Sequence, residues 1–143
     1  MYSNAIIQYM NGISRTRRGL QVLIADDLII EQIAFLETIR HYLPESTAQA
    51  VNRSELEDKL TAGNEYDLVI LEEYFLIDQP DRLYISRVRN KYPKAKIALF
   101  IDTQNLYRQQ TTAQLSNIDI ILTKCSTVEA IAEKLCLTFQ ERQ

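Results

Sequence analysis

Five short apolar runs, alternating with longer segments of helical pattern, constrain the fold of this chain most strongly. We predict strands at residues 21–25, 47–51, 67–71, 95–101 and 118–122. Strands that are apolar along their whole length are typical of parallel sheets, which are covered on both faces by the connecting helices. The alternation therefore predicts an α/β fold with one parallel sheet between two layers of helices.

The intervening segments predict five helices, at 28–43, 55–62, 80–92, 104–115 and 127–139. In the first helix, we expect Ile29, Ile33, Leu36 and Leu43 to form the buried stripe. Capping signals support three of the helix ends, namely the pairs Ser54 with Glu57 and Ser126 with Glu129 at helix starts, and Gly63 at a helix end.

Together these elements predict a doubly wound, flavodoxin-like domain with five parallel strands and five helices. The domain is expected to cover residues 20–143, and residues 1–19 form an N-terminal extension. Two interpretations of the extension remain open. It is either a loosely held terminus or a docking arm, with apolar residues near Ile6 and a basic tip at residues 15–18.

The composition excludes several functional classes. No run of 18 apolar residues is present, and the N-terminus lacks the pattern of a signal peptide, so we expect a cytoplasmic protein without a membrane partner. Two cysteines make no disulfide framework, and His41 alone makes neither a zinc site nor a catalytic triad. A net charge of −3 is unsuited to general nucleic-acid binding.

Charged residues follow the predicted strands at the edge where ligands bind in doubly wound folds. Asp26 and Asp27 follow the first strand, Glu72 and Glu73 follow the third, and Lys124 follows the fifth. Carboxylates from neighbouring strands are suitable ligands for Mg²⁺, which makes Asp26, Asp27 and Glu72 the candidate metal ligands. Two simpler interpretations stay open: the aspartates form a turn and helix cap, and the glutamates are solvated charges.

Over residues 20–140 this pattern resembles the receiver domain of bacterial response regulators. The similarity rests on the segment VLIADD at residues 22–27, the strand DLVIL with an acid after it, the strand after Pro93, and Lys124 before a capped helix. The spacing also fits, since Glu72 lies 45 positions after Asp27 and Lys124 lies 52 positions after Glu72.

The chain departs from the receiver pattern where the chemistry occurs. Glu72 replaces the aspartate that accepts a phosphoryl group in the family, and its longer side chain displaces the acceptor oxygen by about 1.5 Å, enough to cost roughly 10²-fold in rate. Ile101 or Asp102 stands where the family has a hydroxyl, and Ile121 replaces the switch aromatic. The resemblance therefore implies a degenerate phosphorylation site formed by Asp26, Asp27, Glu72, Ile101, Asp102 and Lys124.

The resemblance further implies a regulatory module that is not an enzyme and acts by protein–protein contact. Receivers usually pair through the face of the fourth helix, fifth strand and fifth helix, which in this chain includes Tyr107, Arg108, Gln114, Lys134 and Arg142. The expected partner is a second copy or another response regulator. The degenerate receivers of auxiliary LuxR-type transcription regulators are similar, so DNA would be bound only through a domain outside this chain.

Two other functions remain as alternatives. One is a working receiver that accepts a phosphoryl group with Mg²⁺. The other is a flavodoxin-like binder of a small ligand, although Gly12, Gly19 and Gly63 do not lie at a strand end where a phosphate-binding loop is needed.

Overall fold

The computed structural model describes residues 19–77, 84–102 and 117–140, which form a single five-stranded parallel sheet. The strand order is β2-β1-β3-β4-β5, so the order reverses at β1 and the sheet is doubly wound. This confirms the predicted fold class. The strands are β1 (Gln21–Ala25), β2 (Thr47–Val51), β3 (Leu68–Glu72), β4 (Lys96–Ile101) and β5 (Ile120–Thr123).

The described helices connect these strands and cover both faces of the sheet. Four helices have eight residues or more, and a single turn, which the sequence did not indicate, follows β3. In chain order they are α1 (Ile29–Tyr42), α2 (Arg53–Thr61), the single turn α3 (Tyr74–Ile77), α4 (Tyr84–Lys91) and α5 (Val128–Gln140).

The two faces of the sheet support two separate apolar cores. Successive side chains of a strand point to opposite faces, so Val22 and Ile24 of β1 pack with α1 and α5, whereas Leu23 and Ala25 pack with α2, α3 and α4. The central strand β3 is buried at every position. It anchors both cores and places its last residue, Glu72, inside the molecule.

The predicted stripe of the first helix was wrong for two of its four residues, since Leu43 is buried and Leu36 packs against the core. Ile29 and Ile33 are 70% and 55% exposed, whereas Phe35, Thr38, Ile39 and Tyr42 are buried. Apolar residues occur on all sides of the first turns of α1, so their spacing does not fix the rotation of the helix. Packing of Phe35 and Ile39 against the sheet fixes it instead.

Two of the three capping predictions were wrong, by one or two positions each. Asn52, rather than Ser54, caps α2 in a reciprocal box with Glu55. Helix α2 ends at Thr61 with Ala62 as its C-cap residue, so Gly63 directly follows the cap, at the position where glycine commonly ends a helix. At α5 the cap is Thr127, whose hydroxyl accepts a hydrogen bond from Ala130 N at 3.1 Å.

Several predictions concern residues that the structure does not describe. These are the extension at 1–18, the helix start at Pro80 and the helix at 104–115. The boundary between the extension and the domain therefore stays a prediction. Among the described helices, none has the length and apolar character needed to cross a membrane.

Candidate functional site at the carboxyl edge of the sheet

An ion pair between Glu72 and Lys124 forms the centre of the site. Glu72 is the last residue of β3 and Lys124 directly follows β5, so both side chains reach the carboxyl edge of the sheet, where all the strands end. The Lys124 ammonium donates to Glu72 Oε2 at 2.7 Å, and Tyr74 N donates to Glu72 Oε1 at 3.0 Å. Both carboxylate oxygens of Glu72 therefore have a donor, although the residue is only 1% exposed.

Lys124 is surrounded by further carboxylates and by two aromatic rings. Its Nζ atom lies 3.5 Å from Glu31 and 3.6 Å from Glu73. It also lies 5.6 Å from the ring centre of Tyr74 and 5.5 Å from that of Phe100. Burial acts to lower the pKa of Lys124, but the neighbouring carboxylates outweigh it and raise the pKa overall. Lys124 is therefore held in its charged form.

Burial raises the pKa of Glu72 above its ordinary value, and the bonds from Lys124 and Tyr74 N offset part of this rise. A carboxylate loses hydration energy inside the protein, and charged or dipolar donors restore part of it. The ion pair with Lys124 is thus what allows Glu72 to carry its charge at a buried position.

Asp26 lies in the same site but has a different neighbour. Its Oδ1 accepts a hydrogen bond from Leu28 N at 2.9 Å, which starts the turn into α1. Burial, together with a hydrogen bond to the Glu31 carboxyl group, raises the pKa of Asp26 to about 8. Because its pKa is raised to about 8, Asp26 holds a proton at neutral pH, and the protonated carboxyl group can donate to the Glu31 carboxylate.

Glu31 is a site residue that was not predicted from the sequence. It lies in the first turn of α1 and reaches both Asp26 and Lys124. Strand ends can be located from the order of elements, but the direction of a helical side chain depends on the rotation of the helix. A carboxylate in the first turn of the helix, four positions after the Asp-Asp pair, was the available signal.

Asp27 does not join this cluster. Its Oδ1 accepts a hydrogen bond from the backbone N of Arg53 at 2.8 Å, and the Arg53 guanidinium lies 3.7 Å from Oδ2. Asp27 therefore caps the start of α2. The simpler interpretation of the aspartates holds in part, since Asp26 makes a turn and Asp27 caps a helix. The simpler interpretation of the glutamates as solvated charges was wrong, because Glu72 and Glu73 are both buried.

Ile101 and Asp102 close the site at the end of β4. The carbonyl group of Ile101 accepts a hydrogen bond from Lys124 N at 3.0 Å, which joins the ends of β4 and β5. Asp102 N donates to Glu73 Oε2 at 3.2 Å. The buried apolar side chain of Ile101 provides no hydroxyl at this position.

The predicted magnesium ligands do not fit the ion in this arrangement. Asp26 bonds to Glu31, Asp27 points to Arg53, and the Lys124 ammonium lies against Glu72. Within the described ranges, no three His, Cys, Asp or Glu residues are grouped so as to hold a metal ion. A cation here would have to displace Lys124, which already supplies the positive charge.

Of the predicted interaction face, only Lys134 belongs to the described part of the chain. It lies on α5, and its ammonium donates to the carbonyl oxygen of Ile121 on β5 at 2.8 Å. The other four residues, Tyr107, Arg108, Gln114 and Arg142, lie outside the described residues.

A cleft of about 830 Å³ lies at the opposite, amino edge of the sheet. It is lined by Gln21, Thr47, Tyr66 and Asp67, among others, and it does not touch the carboxylate site. The flavodoxin-like alternative places its ligand at the carboxyl edge, so this cleft does not support that alternative.

Comparisons with known proteins identify the fold. Neither protein-family models nor curated protein sequences give a match to this chain. Among solved structures, a response regulator from Thermotoga maritima is similar, with a TM-score of 0.64 and 16% sequence identity. The aligned region covers 84% of this chain and 97% of the Thermotoga maritima chain. A LuxR family DNA-binding response regulator from Silicibacter pomeroyi has a TM-score of 0.65 and 20% identity, covering 85% and 92%.

A CheY-like receiver domain of a response regulator from Methylobacillus flagellatus is also similar, with a TM-score of 0.58, 19% identity, and coverage of 86% of this chain and 98% of its own. At this level of identity the comparisons show the fold and no more. The chain has the fold of response regulator receiver domains.

Proposed function

We propose that this chain is a receiver-like signalling module that works by protein–protein contact and without phosphorylation. The observation that carries this proposal is the Glu72–Lys124 ion pair. In the receiver fold, Glu72 stands at the position of the phosphoryl acceptor, and both of its oxygens already accept hydrogen bonds.

The geometry disfavours phosphoryl transfer in three ways. An acceptor oxygen must be free to attack in line, with a cation to neutralise the developing charge. Here Lys124 lies on the acceptor, the carboxylates that would hold Mg²⁺ are turned to other partners, and Ile101 offers no hydroxyl. In addition, the half-exposed Tyr74 ring lies over Lys124 at the mouth of the site.

Glu72 with Lys124 instead holds the domain in one state. A carboxylate one methylene longer than aspartate extends its negative charge toward the lysine, as a phosphoryl group on aspartate would. Because the pair is permanent, the equilibrium between two receiver states is biased by the sequence and not by a ligand.

The output of such a module is a binding surface. We propose pairing with a second copy or with another response regulator, through the face that contains Lys134 and the predicted residues 107, 108, 114 and 142. The module would act in bacterial signal transduction or transcription regulation in the cytoplasm, and would reach DNA only through another domain. Similarity to a LuxR family DNA-binding response regulator supports this.

Phosphorylation is tested by incubating the full chain with acetyl phosphate and Mg²⁺ and measuring the intact mass. We expect no phosphoryl adduct on the natural chain. Glu72→Asp is the matched variant. It restores the aspartate that accepts the phosphoryl group in the receiver family, and it leaves the other departures from the family pattern, such as Ile101 and Ile121, in place. An adduct on the natural chain that Glu72→Gln abolishes would overturn the proposal and establish the working receiver.

Pairing is tested by sedimentation of the full chain over a range of concentrations. We expect a reversible dimer that Lys134→Glu weakens at least about tenfold, since the substitution reverses a charge on the proposed face. Lys59→Glu on α2, at the opposite face of the sheet, is the matched control. A dimer weakened equally by both variants, or no dimer together with no binding to a response regulator, would contradict the proposed surface.

A further inference from the structure

The outward side of α1 is divided into an apolar half and a polar half. In its first two turns Ile29, Ile30 and Ile33 are 70%, 78% and 55% exposed, and Leu28 just before the helix is also exposed. In the last two turns the outward residues are Glu37, Arg40 and His41, and Glu37 and Arg40 form an ion pair.

The apolar half is unusual for a surface helix. Single exposed apolar residues are common, but four that are contiguous on one surface indicate a contact with another segment or molecule. The four exposed residues are not part of the core. Helix α1 contributes Phe35 and Ile39, which lie on its other side, to the core on this face of the sheet.

The point where the N-terminal extension joins the domain is fixed beside α1. A side chain at Gly19 would place its Cβ 1.8 Å from the carbonyl oxygen of Glu45, so this position accepts only glycine without a shift of the backbone. Leu20 N donates to the Ser46 hydroxyl at 2.9 Å. The extension therefore starts next to residues 45–46, a few positions after the last turn of α1.

The order of residues in the extension matches the order on α1. Going back from Gly19, the sequence first gives a basic group at residues 15–18 and then an apolar group at residues 5–10, with Ile6, Ile7 and Met10. Going back along α1 from the same point, the outward side is first polar, with His41, Arg40 and Glu37, and then apolar.

The lengths are also compatible. The rise from Tyr42 back to Ile30 is about 18 Å along the helix. The nine residues from Met10 to Gly19 reach up to about 30 Å when extended. The apolar group can thus lie over the first two turns of α1 while the basic group stays near the exposed Glu45, which lies next to Gly19.

We propose that residues 5–10 of the same chain dock on Leu28, Ile29, Ile30 and Ile33. The docked segment covers the outer side of the helical turns that carry Glu31 to the carboxylate site on the inner side. It thereby links an intramolecular contact to the position of Glu31 next to Lys124.

Cysteine pairs in the full chain test this contact. The exposed Cys125 is first replaced by serine, whereas Cys136 is buried and stays. One variant combines Ile7→Cys with Ile33→Cys, and the control combines Ile7→Cys with Asp58→Cys. Under oxidised glutathione we expect the first variant to form an intramolecular disulfide at least about tenfold faster than the control. The reason is that docking raises the effective concentration of the first pair only. Asp58 lies on α2, across the sheet.

Equal rates for the two pairs would overturn the proposal. A disulfide-linked dimer of the Ile7→Cys, Ile33→Cys chain would also overturn it, and would assign the apolar surface to a second copy. Intact mass under non-reducing conditions distinguishes the monomeric from the dimeric product.

A second measurement does not depend on introduced cysteines. In two-dimensional amide NMR spectra, Ile6→Asp with Ile7→Asp should shift the signals of residues 28–34, because the docked segment leaves the helix. Ser3→Asp with Asn4→Asp adds the same charge next to the docked group and should leave those signals in place. Unchanged signals in the first variant would contradict the docking.

Discussion

Asp26 and Glu72 are equally buried acids at the ends of neighbouring strands, each 1% exposed, and yet they are stabilised differently. Glu72 receives the Lys124 ammonium and a backbone N–H. Asp26 receives one backbone N–H and faces another carboxyl group, that of Glu31. The comparison shows that the neighbour decides how a buried acid is neutralised, by a cation in one case and by a proton in the other.

Both solutions reduce the negative charge of a cluster of buried acids. Asp26, Glu31, Glu72 and Glu73 contribute four carboxyl groups, and Lys124 is a cation that contacts three of them. The proton on Asp26, whose pKa is raised to about 8, removes a further charge at neutral pH. A lysine and a proton thus offset part of the charge of these four groups.

Removal of the lysine should have the largest effect on this balance. Lys124→Met leaves Glu72 buried without its cation, and we expect a loss of about 3 kcal/mol in the free energy of unfolding, at the lower end for a broken buried pair because Lys124 is partly exposed. Urea denaturation at pH 7 measures it.

The double variant Lys124→Met with Glu72→Gln is the control. It removes the uncompensated charge and should recover at least about 1 kcal/mol of the loss. If the double variant is less stable than Lys124→Met, the lysine does not act through Glu72.

Removal of the proton-binding acid should have a smaller effect that depends on pH. Because the pKa of Asp26 is raised to about 8 from its ordinary value of 3.8, the folded state holds a proton that the unfolded state releases between these values. The stability contributed by this proton is complete below about pH 4 and is lost as the pH rises toward 8. Asp26→Asn, which keeps the acceptor for Leu28 N, lacks this dependence.

We expect the difference in unfolding free energy between Asp26→Asn and the natural chain to grow in favour of the variant by about 2 kcal/mol from pH 5 to pH 7. Glu37→Gln is a matched control, since the pKa of this exposed acid is lowered by Arg40 from 4.5 and its contribution is lost only at lower pH, so its difference from the natural chain should stay constant from pH 5 to pH 7. A difference that stays constant with pH would mean that Asp26 is ionised in the folded protein.

Substitution of Asp27 should have the smallest effect and should not reach the site. Asp27→Asn keeps the acceptor for Arg53 N and should change stability by less than about 0.5 kcal/mol, because the ion pair with Arg53 is long and half-exposed. Asp27→Ala removes the cap and should cost about 1 kcal/mol. A shift of the Lys124 amide signal in either variant would contradict the separation of Asp27 from the site.

The sequence was sufficient to predict the sheet, because each strand carries its own signal. The predicted bounds of β1 and β2 agree with the structure, and the others differ by one or two residues. Strand signals are local, and the order of elements then restricts the topology to a few choices. Helix rotation is not local in this sense, so the exposed positions of Ile29 and Ile33 could not be predicted from spacing.

The site was predictable only as far as it lies on strands. Glu72 is the last residue of β3 and Lys124 directly follows β5, and both strands are neighbours of β4. The strand order therefore predicts that these two side chains lie close together. Adjacent residues at a strand end point to opposite faces, and the turn that follows decides which of the two faces the site. It was therefore not predictable that Asp26 joins the site and Asp27 does not. Glu31 was not predicted because its direction depends on the rotation of α1, which also decides which side of this helix is buried.

The role of Glu72 is tested most directly by a two-dimensional amide NMR titration of the full chain with Mg²⁺, followed by beryllofluoride, which mimics a phosphoryl group. We predict that the amide signals of Glu72, Lys124 and α5 do not respond to beryllofluoride, because Lys124 already neutralises Glu72. Coordinated shifts of Glu72, Lys124 and the α5 surface on addition of beryllofluoride would contradict this, and would show that the phosphoryl-responsive switch is intact.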